Sequence, residues 1–159
     1  MKKSIILSIA ATLILSLSFN ALSAQVSNTS YNYSNNSNFN SEVLTIIQDL
    51  ESLGYTIIEY DITKLSKNQK FNWNLTCYQG REYTVFGYTE AGVKDLGLYI
   101  YDSNGNFVTA NPSSENNGIT ATKFNAYANT KAQIIAKNEK SQSFNKKYNV
   151  AIIVSYFNK

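Results

Sequence analysis

Residues able to do chemistry are scarce in this 159-residue sequence, and the scarcity narrows the options. There is no histidine, which excludes imidazole-activated nucleophiles and histidine-ligated zinc. The one cysteine, Cys77, has no imidazole beside it to draw out a thiolate. It alternates with Phe71, Trp73 and Leu75, a spacing that predicts a buried, inert thiol on the apolar face of a strand. Glu59 and Asp61 stand two apart, so on a strand both carboxylates leave from one face. Paired carboxylates can hydrolyse glycosides, but such pairs come from separate elements facing a cleft. A solvated strand face is the simpler reading. Glu90, Asp95 and Asp102 fall near one end of neighbouring predicted strands and are weak candidates for hard-oxygen ligation of Ca²⁺. No spaced calcium-loop motif accompanies them, so ordinary loop charges are the simpler reading and no cofactor is expected.

Aromatic side chains offer more. In 82–89, Tyr83 and Val85 share one side, and Phe86 and Tyr88 the other. In 96–102, Leu96, Leu98 and Ile100 share one side, and Tyr99 and Tyr101 the other, with Asp95 just ahead in phase with the tyrosines. If these strands are neighbours, Phe86, Tyr88, Tyr99 and Tyr101 form one outer patch suited to a glycan or a protein. The competing and preferred expectation is that a helix covers it.

That helix is predicted over 41–53. Val43, Ile46, Ile47, Leu50 and Leu53 follow helical spacing, Leu44 widens the stripe, and Gly54 is placed to end it. After Gly54 the period becomes two. Strands are predicted at 55–63, 70–78, 82–89, 96–102, 106–109, 119–125, 131–137 and 148–157, rich in Tyr, Ile, Val, Phe and Thr. Turn signals separate them, and Asn104-Gly105 is a strong hairpin signal. About eight closely spaced strands with no intervening helices predict a β-sandwich rather than a parallel α/β sheet.

The N-terminus sets the compartment. Lys2 and Lys3, an apolar run from Ile5 to Phe19, and Ala24 before Gln25 have the three parts of a cleavable secretory signal peptide. The run is short for a membrane span, so none is expected after cleavage. Residues 25–39 read as a low-complexity Asn/Ser/Tyr linker, and 40–159 as one helix-plus-sandwich domain. Losing Lys2 and Lys3 lowers the formal charge from +3 to +1, which with scattered lysines argues against nucleic-acid binding. One cysteine cannot form an internal disulfide, so the core must carry stability alone.

The stretch Gly80-Arg81-Glu82-Tyr83, followed by Asp95-Leu96-Gly97-Leu98-Tyr99-Ile100-Tyr101-Asp102 and Asn104-Gly105, resembles the bacterial pre-peptidase C-terminal domain and related secreted proteins. The resemblance spans roughly 55–157. It implies a jelly-roll-like β-sandwich accessory to secreted hydrolases, serving secretion, attachment or stability, with calcium bound in some members. Gly97 replaces an acid of that pattern, which weakens the implied calcium site, and a free-standing version without a catalytic domain is expected. The expectation is an exported, periplasmic or extracellular, non-enzymatic binding module. The alternatives are a small hydrolase using carboxylates, or an envelope protein assembling through strand edges. Intact-mass measurement of the exported protein should show a chain beginning at Gln25; a mass retaining residues 1–24 would refute cleavage there.

Overall fold

A computed structural model describes residues 37–111 and 116–157; the expected signal peptide and nearly all of the expected linker lie outside them. Helix α1 (Ser37–Ser52) is followed by eight strands: β1 (Thr56–Leu65), β2 (Lys70–Cys77), β3 (Glu82–Thr89), β4 (Val93–Asp102), β5 (Phe107–Ala110), β6 (Ile119–Asn125), β7 (Thr130–Ser141) and β8 (Tyr148–Phe157). They form two four-stranded sheets, ordered β1-β8-β3-β6 and β2-β7-β4-β5. Every pairing is antiparallel. The first strand pairs with the last, the second with the seventh, the third with the sixth and the fourth with the fifth. This is a long hairpin rolled into two layers, the jelly-roll topology.

Alternation of side chains builds the core. Tyr83 and Val85 of β3, Leu96, Leu98 and Ile100 of β4, Ile134 and Ala136 of β7, and Val150, Ile152 and Val154 of β8 meet between the sheets, each at most 1 % exposed. The sheets approach closely at Gly87, where an added Cβ would lie 2.6 Å from Leu96 Cδ2 of the facing sheet. The β4–β5 hairpin turns at Gly105, whose φ of +80° suits glycine. Asp102 clasps this turn by accepting hydrogen bonds from the Asn104 and Asn106 backbone N–H groups, both at 2.8 Å.

The outer face of the β1-β8-β3-β6 sheet is also apolar, and α1 lies on it. Phe39, Val43, Ile46, Ile47 and Leu50 pack with Tyr60 and Ile62 of β1, Tyr88 of β3, and Ala151 and Ile153 of β8. Phe39 stacks on Tyr88 with ring centroids 5.4 Å apart, and the Tyr88 hydroxyl donates to Glu42 Oε2 at 2.6 Å. A lone helix of this length is marginal in water. Burial of each aliphatic side chain is worth about 1.5–3 kcal/mol, so the sheet holds the helix in place.

Three expectations need correction. The helix begins at Ser37 rather than at 41, because Phe39 lies in phase with Val43 and finds an apolar seat on Tyr88. Leu44, expected to widen the stripe, is 40 % exposed and points away from the sheet. More consequentially, β3 and β4 belong to different sheets and face each other across the core. Phe86 and Tyr88 therefore lie under α1, whereas Tyr99 and Tyr101 lie on the opposite outer surface, so the four do not form one patch. Leu50→Ala should destabilise the domain by about 2–4 kcal/mol in urea unfolding, as a buried truncation does, and Leu44→Ala by less than about 0.5 kcal/mol. Equal effects would refute docking through the Val43–Leu50 face.

Candidate binding face

With one outer sheet face under the helix, the other, on β2-β7-β4-β5, is left uncovered among the described residues. Its cross-strand register aligns side chains that are distant in sequence. Asn74 of β2 lies opposite Gln133 of β7, Gln133 opposite Tyr101 of β4, and Tyr101 opposite Phe107 of β5. Beside this row runs a second: Asn72, Ile135, Tyr99 and Ala110. At a strand spacing of about 4.8 Å, each row crosses about 14 Å of sheet. Tyr101 and Phe107 meet edge to face at 5.8 Å, with Phe107 61 % exposed. The result is a shallow strip with amides at one end and rings at the other.

Tyr99 is held in place. Its hydroxyl donates to Glu139 Oε1 at 2.6 Å, and Glu139 Oε2 pairs with Lys137 Nζ at 2.6 Å. The ring passes close over Gly97, where a Cβ would lie 2.8 Å from the Tyr99 ring. Gly97, an apparent loss of an acidic ligand in the sequence, thus provides the flat ground on which Tyr99 rests. The hydrogen bond to Glu139, followed by burial, pushes the Tyr99 hydroxyl up to about 12, and the Lys137 and Tyr99 donors outweigh burial to hold the Glu139 carboxyl below its ordinary value.

The weak calcium candidates Glu90, Asp95 and Asp102 do not converge. Asp95 and Asp102 lie near opposite ends of β4. Glu90, in the β3–β4 turn, accepts from Asn149 Nδ2 at 2.5 Å and pairs with Lys146 at 3.6 Å. Asp95 accepts from Asn116 Nδ2 at 3.2 Å, and Asp102 is engaged by its own turn. Among the described residues, no group of three potential acidic or sulfur ligands is placed to hold a metal.

Glu59 and Asp61 do share a face, as expected. Their register partners Val154 and Ile152 are core residues, so both point inward at the edge of the sandwich between β1 and β2. Burial, and then the charge of Asp61, raise the Glu59 carboxyl above its ordinary value. The inner face of β2 presents Phe71, Trp73, Leu75 and Cys77 toward the core rather than a second carboxylate. A glycosidase pair on facing elements is not formed there. Cys77 is 1 % exposed, as its alternation predicts, and burial pushes its thiol up to about 11.

The ring-to-amide row was not among the sequence-derived candidates. Tyr101 is visible from strand phase, but Asn74 and Gln133 join it only through the β2–β7 and β4–β7 registers. A further group missed in sequence is the end carrying the β2–β3 and β6–β7 turns, where Tyr127 is 84 % and Tyr78 53 % exposed. Arg81 lies over the Tyr156 ring at 4.2 Å and the Tyr78 ring at 5.1 Å. Among the described residues, no helix is long and apolar enough to cross a membrane.

No family model and no curated protein match the sequence. Solved structures with a similar chain path include a periplasmic inhibitor of g-type lysozyme from Aeromonas hydrophila, at 12 % identity and a TM-score of 0.45, covering 61 % of this chain and 83 % of that one. A family GH115 4-O-methyl-α-glucuronidase with specificity for decorated arabinogalactans is similar at 8 % identity and a TM-score of 0.41, over 61 % of this chain and 14 % of the enzyme. A CBM4 structure is similar at 12 % identity and a TM-score of 0.36, over 65 % and 78 % of the two chains.

Two outcomes test this geometry. Native Cys77 should react with a thiol reagent at least about 100-fold more slowly than an unfolded-chain thiol, since its thiolate is disfavoured and enclosed; equal rates would refute its burial. The raised Tyr99 hydroxyl favours the folded state below about pH 10, the ordinary tyrosine value, and that contribution is lost as pH rises toward about 12. Tyr99→Phe should therefore fall less steeply in stability above pH 10 than the parent, as read by urea midpoints.

Proposed function

We propose that this chain is an exported, non-catalytic binding module whose open sheet receives a glycan chain laid across the strands. The observation that carries this reading is the row Asn74–Gln133–Tyr101–Phe107 on the sheet face that α1 leaves uncovered. Sugar rings offer apolar C–H faces and hydroxyl edges. Aromatic rings meet the former, and side-chain amides, which both donate and accept, meet the latter. A row fixed by the strand ladder loses little freedom on binding, because its backbone is already ordered.

The signal-peptide features at residues 1–24 support export. An accessory role, as the resemblance to pre-peptidase C-terminal domains implies, fits a sandwich with one covered face and one prepared face. The absence of histidine and the one-strand origin of Glu59 and Asp61 favour binding over hydrolysis.

Affinity electrophoresis of the mature protein against soluble polysaccharides is the direct test. Tyr101→Ala and Gln133→Ala should each weaken retention about tenfold, or about 1.4 kcal/mol, while their melting temperatures stay within about 4 °C of the parent. Retention unaltered by both substitutions would remove the open sheet from the binding role.

A further inference from the structure

Charge is unevenly divided between the two outer surfaces. Helix α1 carries Glu42, Asp49 and Glu51 and no lysine or arginine. Beneath and beside it, Lys123 is paired with Glu82 at 3.6 Å, leaving Lys64 as the other outward lysine of that sheet. The open surface has the opposite balance. Lys131 lies opposite Thr76, next along the face from the Asn74–Gln133 row. Lys70 lies opposite Lys137, on the far side of the Asn72–Ile135–Tyr99 row. Lys70 and Lys131 are both exposed. Lys137 is engaged with Glu139, and that carboxylate also receives the Tyr99 hydroxyl, so its charge is locally met. The two rows are therefore bracketed by lysines at 131 and 70, and Glu139 lies just outside the brackets, one step beyond Lys137.

We infer that the glycan taken up by the open sheet is anionic, a polysaccharide bearing sugar carboxylates, with Lys131 and Lys70 as its charge-reading residues. This inference rests on the glycan reading above and names the class of chain that the face selects. Rings and amides in the rows engage the sugar units, and the flanking ammonium groups meet carboxylates that project to either side. An acidic helix on the opposite surface and lysines on this one also orient the domain as it approaches a polyanion, so that the open sheet arrives first. Lysine is suited to this task. Its flexible stem lets a point charge follow carboxylates spaced along a chain, without the fixed bidentate geometry of arginine.

The test uses polygalacturonate, alginate and hyaluronate, each beside its methyl-esterified form, with the mature protein and affinity electrophoresis or calorimetry as readout. The expected result is binding to at least one acidic chain about tenfold tighter than to its ester at low salt. That preference should shrink severalfold at about 0.5 M salt, where the Debye length falls to a few ångströms. The Lys70→Gln, Lys131→Gln double variant should lose the preference yet keep its affinity for the ester, whereas Tyr101→Ala should weaken both. Equal affinity for each acid and its ester would overturn the anionic inference and leave the glycan face standing. Retention of the full preference in the double variant would overturn the assignment to Lys70 and Lys131. Oligothymidylate bound as tightly as the best polysaccharide would show a general polyanion site and overturn the inference. Binding to none of the six polymers would overturn the inference and the glycan reading together.

Discussion

The architecture depends on a strand with no solvated side. In β8, Tyr148, Val150, Ile152 and Val154 face the core between the sheets, while Ala151 and Ile153 face outward and are equally buried. An antiparallel strand normally solvates one face. This one cannot, so a second layer must lie over it. The N-terminal helix meets that demand, and its Val43–Leu50 stripe is in turn stable only because β8, β1 and β3 offer it a surface. Removal of either member would leave the other with an exposed apolar face. The pairing also decides which sheet remains free, since the chain has one described helix and two outer surfaces.

The free surface has a different logic. Its outward residues contribute little to the core, because alternation sends Leu98 and Ile100 inward and Tyr99 and Tyr101 outward from the same strand. What orders the surface is hydrogen bonding and register. Tyr99 is held down over Gly97 by Glu139, and Glu139 is held by Lys137. Tyr101 leans against Phe107 across a strand pair that a glycine turn and Asp102 close. A rigid, partly polar strip results, ordered by the strands rather than by any loop.

Much of this was legible in the sequence where the signal was local. Period-two alternation located all eight strands, with the largest departures at the end of β7, which runs four residues beyond its predicted limit, and at the start of β4, three residues early. Asn104-Gly105 marked its hairpin. The side of each strand on which Tyr83, Leu96 and Cys77 would be buried followed from phase. What the sequence did not carry was sheet membership. Residues of β3 and β4 are neighbours in the chain, and a hairpin between them was the natural expectation for the aromatic patch. In a rolled long hairpin, however, β4 crosses to the other sheet, and its partners are β5 and β7. Such pairings are set by packing of two whole layers, not by any short motif. The same reason hid the alignment of Asn74 and Gln133 with Tyr101. The early start of α1 was concealed differently: Phe39 looks like the end of a polar tract until Tyr88 supplies its seat.

The division of labour within β4 and β7 bears on how such a protein can change over evolutionary time. Leu98, Ile100, Ile134 and Ala136 are constrained by one another, and substitution there is felt through the whole packed interior. Their immediate chain neighbours Tyr101, Gln133 and Ile135 are free of that constraint. A lineage can therefore exchange one set of outward residues for another at little cost to folding. The inward half of each strand conserves an architecture while the outward half drifts. Descendants of one such sandwich would share a pattern of buried positions and little else, and similarity between them would fade first in the outward residues.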